Sequence, residues 1–325
     1  MAFIPALASA SLLLLQTAAY VPERVYDTTQ KAFVDFEVML ASAAEADVIF
    51  VGEMHDDPNT HRLEAAILDG LQRRKKTPVV SLEMFERDVQ GAIDAYLAGR
   101  FGEEEALKNA RPWPRYVTDY RPLVERAKAH GWPVIASNVP RRVAQAVAKS
   151  GREAIEQLSE TDRAFVARDL ECPLDTYFER FTKSMASHPA GKQSPEEQRV
   201  AMERYYWSQC VKDETMAEAI AAAVERQASR ATGPALSERT ESTGESKGLV
   251  LSERTELTRE SKGPVVHFNG AFHSDFGLGT AERARRRLPG KRIVIISMLP
   301  VADLDALQPE SEELQRADYL VFTVK

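Results

Sequence analysis

The segment Val51-Gly52-Glu53-Met54-His55 closes an apolar run with a carboxylate and an imidazole two residues apart. In an extended chain, residues i and i+2 project to the same side. Glu53 and His55 therefore face a common point just past a strand, where Gly52 lets the backbone turn closely. His61 falls in the first turn of the helical pattern that follows and leans over the same point. Glu83 lies inside a second apolar run, Val80-Ser81-Leu82-Glu83-Met84-Phe85, where a buried carboxylate needs a partner or a bound ion. A third segment reads Asn269-Gly270-Ala271-Phe272-His273-Ser274-Asp275. Glu53, His55, Glu83 and His273 together suit two chemistries. They could hold a divalent metal that activates water, with Zn, Mn and Fe all compatible, or form a metal-free acid/base set for ester or amide hydrolysis. The other histidines have structural explanations. His130 precedes Gly131 at a helix end, His188 precedes a proline in a loop, and His267 is mid-strand.

Such a cluster needs strands that end on one edge. Short Val- and Ile-rich runs at 46–51, 79–84, 134–138, 265–269, 292–297 and 319–324 alternate with helical patterns. This predicts an α/β fold: a mostly parallel sheet with helices on both faces, plus a helical lid. Open sheets of this kind bind ligands at the carboxyl ends of their strands, and the third run delivers Ser137 and Asn138 to that edge. Asp57-Pro58 reads as an N-cap followed by proline at the first helical position. Residues 140–230 are almost entirely helical in pattern. Ser159 to Asp162 resemble a capping box, and 196–226 lack Gly and Pro. Within that long helix Met202, Tyr206, Gln209, Asp213, Met216 and Ile220 share one face, so Gln209 and Asp213 must meet either solvent or a pocket. The α/β core is expected over 20–139 and 264–325. Between lid and core, 231–263 contain a 15-residue unit twice, with Leu-Ser-Glu-Arg-Thr-Glu at Leu236 and again at Leu251. Two polar copies cannot stack as a solenoid, so an exposed, disordered insertion dispensable for chemistry is expected there.

A chain of 325 residues with net charge -7 can hold one large core with an appendage and carries no nucleic-acid footprint. Residues 2–15 are apolar but too short to span a bilayer, and Thr17-Ala18-Ala19 follow them. A signal peptide over 1–19 and export to the periplasm or cell envelope are expected, although the first basic residue is Arg24. Cys172 and Cys210, read as lying in helical sequence, could form one disulfide after export or remain two buried thiols. No cysteine follows the apolar start, so no lipid attachment site is evident. There is no Gly-x-Gly-x-x-Gly, Walker loop, Gly-x-Ser-x-Gly elbow, His-Glu-x-x-His helix or Cys-x-x-Cys-His site.

The run from Val51 to Pro58 with His61, then Leu82-Glu83-Met84-Phe85 with Gln90, and Asn269-Gly270-Ala271-Phe272-His273, resemble the ChaN-like haem-binding uptake proteins. That family shares a superfamily with the Tiki metalloproteases and the erythromycin esterases. Asn138-Val139-Pro140-Arg141 and Gln209, Asp213 and Met216 also look like family positions. The resemblance implies haem held noncovalently between core and lid, a stacked haem pair across a homodimer, and a role with envelope components in haem or iron uptake. It implies an iron ligand such as Tyr205 or Tyr206 on the lid helix. Arg141 or Arg142 would meet the propionates, as guanidinium forks suit carboxylates.

Overall fold

A computed structural model describes residues 21–185, 194–232 and 263–325. The expected signal peptide, His188 and nearly all of the repeat insertion lie outside these residues. The strands are β1 (Glu23–Asp27), β2 (Ala32–Val34), β3 (Val48–Glu53), β4 (Val79–Glu86), β5 (Val134–Asn138), β6 (Val265–Gly270), β7 (Ile293–Val301) and β8 (Tyr319–Val324). They form one sheet in the order β2-β1-β8-β7-β3-β6-β4-β5. The six strands from β8 to β5 run parallel, and β1 and β2 add an antiparallel edge that the sequence patterns did not reveal. These two strands are short and mix polar with apolar residues, so they carry no buried-strand signature.

The helices before the lid are α1 (Phe36–Ala43), α2 (Pro58–Arg73), α3 (Gln90–Leu97), α4 (Glu103–Ala110) and α5 (Arg121–His130). Then come α6 (Arg141–Ser150), α7 (Glu153–Glu156), α8 (Glu160–Arg163), α9 (Thr176–Met185), α10 (Pro195–Thr232) and, after β6, α11 (Gly279–Arg287). Asp57 caps α2 through the amides of Asn59 and Thr60, and Ser159 caps α8 through that of Asp162. Both caps agree with the sequence reading.

Successive residues of β3 enter different cores, as expected of a strand covered on both faces. Ile49 and Val51 pack with Leu82, Phe268 and Ile296 under α1, α2 and α5. Val48 and Phe50 pack with Ile295, Leu320 and Phe322 under α10 and α11. The long helix α10 is thus shared. Ala217, Ile220 and Val224 in its second half cover the sheet, while its first half packs on α6 and α9 over the strand ends. A disulfide joins Cys172 to Cys210, the first of the two alternatives open from the sequence. Cys172 lies in the irregular segment between α8 and α9, not in a helix as read, because Pro173 beside it disfavours helical backbone. No helix among the described residues is long and apolar enough to cross a membrane.

Candidate functional site

The sheet order creates the site. β6 lies between β3 and β4, so Gly270 at its end pairs with Glu53 at the end of β3. The Gly270 amide donates to Glu83 Oε2 at 2.7 Å. A Cβ on Gly270 would lie 2.6 Å from His55 Nε2. Gly270 therefore separates two carboxylate–imidazole pairs, and any side chain there would have to displace the His55 ring. Gly52 has a similar constraint, since a Cβ would come within 3.0 Å of Ala271 Cα in the turn leading to His273.

The first pair is Glu53 and His55, with His55 Nδ1 2.5 Å from Glu53 Oε1. The Glu53 side chain is fully enclosed, whereas that of His55 is 49% exposed. Tyr120 donates to Glu53 Oε1 at 2.9 Å. His61 approaches from the buried side, its Nδ1 3.1 Å from Glu53 Oε2 and 2.9 Å from Glu64 Oε2. Burial alone would raise the Glu53 pKa, but the hydrogen bond from His55 and the adjacent charge of His61 overcome it and hold the carboxyl well below its usual range. His61 is penalised by burial, yet Glu53 and Glu64 push it up to about 11. Glu64 is raised well above the usual carboxylate range, first by burial and then by the Glu53 charge. His55 is opposed by burial and raised by Glu53 and Glu83.

The second pair is Glu83 and His273, extended by the lid. His273 Nε2 lies 3.2 Å from Glu83 Oε1, and its Nδ1 lies 2.6 Å from Asp213 Oδ1 on α10. Thr280 and Tyr177 donate to the two oxygens of Asp213 at 2.7 and 2.8 Å. The Gln209 amide stands 3.3 Å from both ring nitrogens of His273. Of the two readings for Asp213, solvent or pocket, the structure excludes solvent: the side chain is fully buried against His273, Thr280 and Tyr177. Despite the cost of burial, Glu83 and Asp213 push His273 up to about 10, and His273 in turn holds Glu83 down at about 2. Asn138 acts through the backbone, its amide donating to the Glu83 carbonyl at 3.0 Å. His267 is buried between strands against Ser81, and burial lowers it to about 3, in keeping with a structural role.

Other sequence candidates lie outside this cluster. Tyr206 is completely buried, and its hydroxyl donates to the Pro173 carbonyl. Tyr205 is 46% exposed on α10. Arg141 is exposed at the start of α6, whereas Arg142 is committed to Asp88 and Asp162. Tyr120, Tyr177, Asp119 and Glu64 were missed by sequence reasoning. Glu64 was accessible from its i, i+3 spacing to His61 on one helix face. The others arrive from distant segments without any local signal. Trp113 meets the His55 ring edge-on at 5.2 Å, so the ring has an aromatic neighbour on one side.

Glu53, His61 and Glu64 can each place one ligand atom within 4.8 Å of the others, the single set of this kind among the described residues. It shares only Glu53 with the set expected from sequence.

Comparison with curated proteins gives no match. A solved structure described as cofacial heme binding to ChaN of Campylobacter jejuni is similar at a TM-score of 0.59 and 16% identity, over 93% of this chain and 97% of that one. A Bacillus cereus protein aligns at a TM-score of 0.42 and 12% identity, over 86% of this chain and 76% of that one. An erythromycin esterase mutant in its open conformation aligns at 0.41 and 12%, over 93% and 83%. The first likeness concerns the fold, and the other two are too distant to carry an argument. The profile of the family described as haem-binding uptake, Tiki superfamily, ChaN matches residues 39–234, more than half of the sequence, and the chain belongs to that family.

Proposed function

We propose that this chain is an exported haem-binding protein that handles haem or iron at the cell envelope. Membership of the haem-binding uptake family carries this reading. The surface supports it with residues that fit haem. Iron in haem is held by imidazole, thiolate, thioether or phenolate. His61, His267, His273 and Tyr206 are enclosed, whereas the phenol of Tyr205 is open and the imidazole of His55 half-open, and these two are our candidate iron ligands. Arg141 has no carboxylate within ion-pair distance among the described residues and is free to meet a propionate. Bound haem would supply an iron centre for transport or storage, with this chain binding and orienting it. A homodimer and contacts with envelope uptake components belong to the same reading. The disulfide between Cys172 and Cys210 supports an oxidising compartment.

Titrating purified protein with haem tests the proposal. A saturable Soret shift is expected, weakened by Tyr205→Phe or His55→Ala and by Arg141→Ala. Absence of a saturable shift refutes haem binding, and a shift indifferent to all three variants refutes the site.

A second reading is favoured by one observation, the half-open imidazole of His55 set on an enclosed carboxylate. This is the arrangement of a general base with its orienting partner. In ester or amide hydrolysis, neutral His55 would take a proton from the attacking water and return it to the leaving group. Glu53 would fix the ring and stabilise its cationic form. Because Glu53 and Glu83 raise His55, such activity would increase with pH beyond the ordinary histidine range.

A further inference from the structure

On the enclosed side of Glu53, three carboxyl groups meet one imidazole. Glu53, Glu64 and Asp119 are buried there around the single imidazole of His61, and the nearest guanidinium, Arg115, is 44% exposed. The two nitrogens of His61 have different environments. Nε2 faces the His55 carbonyl at 3.2 Å and Asp119 Oδ2 at 3.5 Å. Nδ1 faces Glu64 Oε2 at 2.9 Å and, off the hydrogen-bonding direction, Glu53 Oε2 at 3.1 Å. Glu53 Oε2 and Glu64 Oε1 are both enclosed and have no hydrogen-bond partner. A buried carboxylate oxygen without a donor costs about 1–3 kcal/mol or more, so such atoms are kept where something else meets them.

We propose that His61 Nδ1, Glu53 and Glu64 bind a divalent transition-metal ion on the enclosed side of the site. The donor types, two carboxylates and one imidazole, suit Zn, Mn or Fe(II). Bonds of about 2.1 Å in tetrahedral array set ligand atoms roughly 3.4 Å apart, a few tenths of an ångström wider than the present approaches to His61 Nδ1. Metal-bound histidines commonly donate their second N–H to a carbonyl or carboxylate, and Nε2 is already placed to do so. A bound ion takes the place of the protons that otherwise keep Nδ1 and the carboxylates together, so binding releases protons. Glu53 would then bridge the ion and His55, fixing the carboxylate that orients the open imidazole. This inference rests on neither functional reading.

The test uses the full chain, stripped with chelator, reloaded separately with Zn(II), Mn(II) and Fe(II), desalted and analysed for metal. About one ion per chain is expected for at least one metal, in the wild type and in His55→Ala, with loss to background in Glu64→Gln. Circular dichroism establishes that the variants are folded. Should Glu64→Gln not fold, the wild type still decides, because stripped protein must gain thermal stability on reloading. Failure of all three metals to bind overturns the proposal. So does an ion kept by Glu64→Gln and lost by His55→Ala, which would place it at the outer pair. A haem titration of the stripped protein reads out separately, so failure of one idea leaves the other standing.

Discussion

Replacing His273 by Gln removes the cation in contact with both Glu83 and Asp213 while keeping an amide N–H donor for them. In the wild type the imidazolium lies 3.2 Å from Glu83 and 2.6 Å from Asp213, and all three side chains are nearly or fully buried. Removing one partner of a buried ion pair costs about 3–5 kcal/mol. The rise of His273 from 6.5 to about 10, at roughly 1.4 kcal/mol per pH unit, gives a similar ceiling of about 5 kcal/mol shared with its partners. For a chain of this size that is a fall in Tm on the order of 10 °C. The sign with pH follows from linkage. The raised His273 contributes fully below pH 6.5, and its contribution is lost as the pH rises towards about 10. The lowered Glu83 contributes fully above pH 4.5, and its contribution is lost as the pH falls towards about 2. In the variant, Glu83 and Asp213 lose their shared ion-pair partner and are raised by burial, so they take up protons on acidification and recover stability. The difference between wild type and variant should therefore peak near pH 6.5 and shrink on both sides. Calorimetric melting of both proteins from pH 4 to pH 10 measures it. A Tm change below about 2 °C at pH 6.5, or a difference that grows steadily towards acid, would refute the assignment of His273 as the buried cation.

Gly270→Ala places a methyl group 2.6 Å from the present position of His55 Nε2 and should push the ring off Glu53. The His55 pKa, followed by NMR titration, should then fall towards 6.5, and any esterase activity should drop; an unchanged titration would show that Gly270 does not set the ring position. Cys210→Ser opens a loop of 38 residues in sequence separation and should cost about 4 kcal/mol by chain entropy, read as a lower urea midpoint relative to oxidised wild type. Reduced wild type should match the variant, and equal midpoints for all three would exclude a stabilising disulfide.

Local pattern determined much of this protein. Every parallel strand was legible as a Val- and Ile-rich run because a strand buried on both faces is filled mostly by apolar side chains. The turn after β3 was legible because Asp57 and Pro58 each satisfy a specific demand of a helix start. Glu53 and His55 could be paired from sequence because two residues of an extended chain fix their separation. The partners of Glu83 could not. Gly270 is 187 residues away, and Asp213 reaches His273 across 60. Those contacts depend on β6 entering the sheet between β3 and β4, and on a helix shared by the lid and the core. Periodicity states which face of an element is buried but not which element covers it. The sequence therefore placed the carboxylates and imidazoles on one edge, and only the order of strands decided that they form two pairs on either side of a glycine. It also decided that one pair faces solvent while the other is sealed beneath α10.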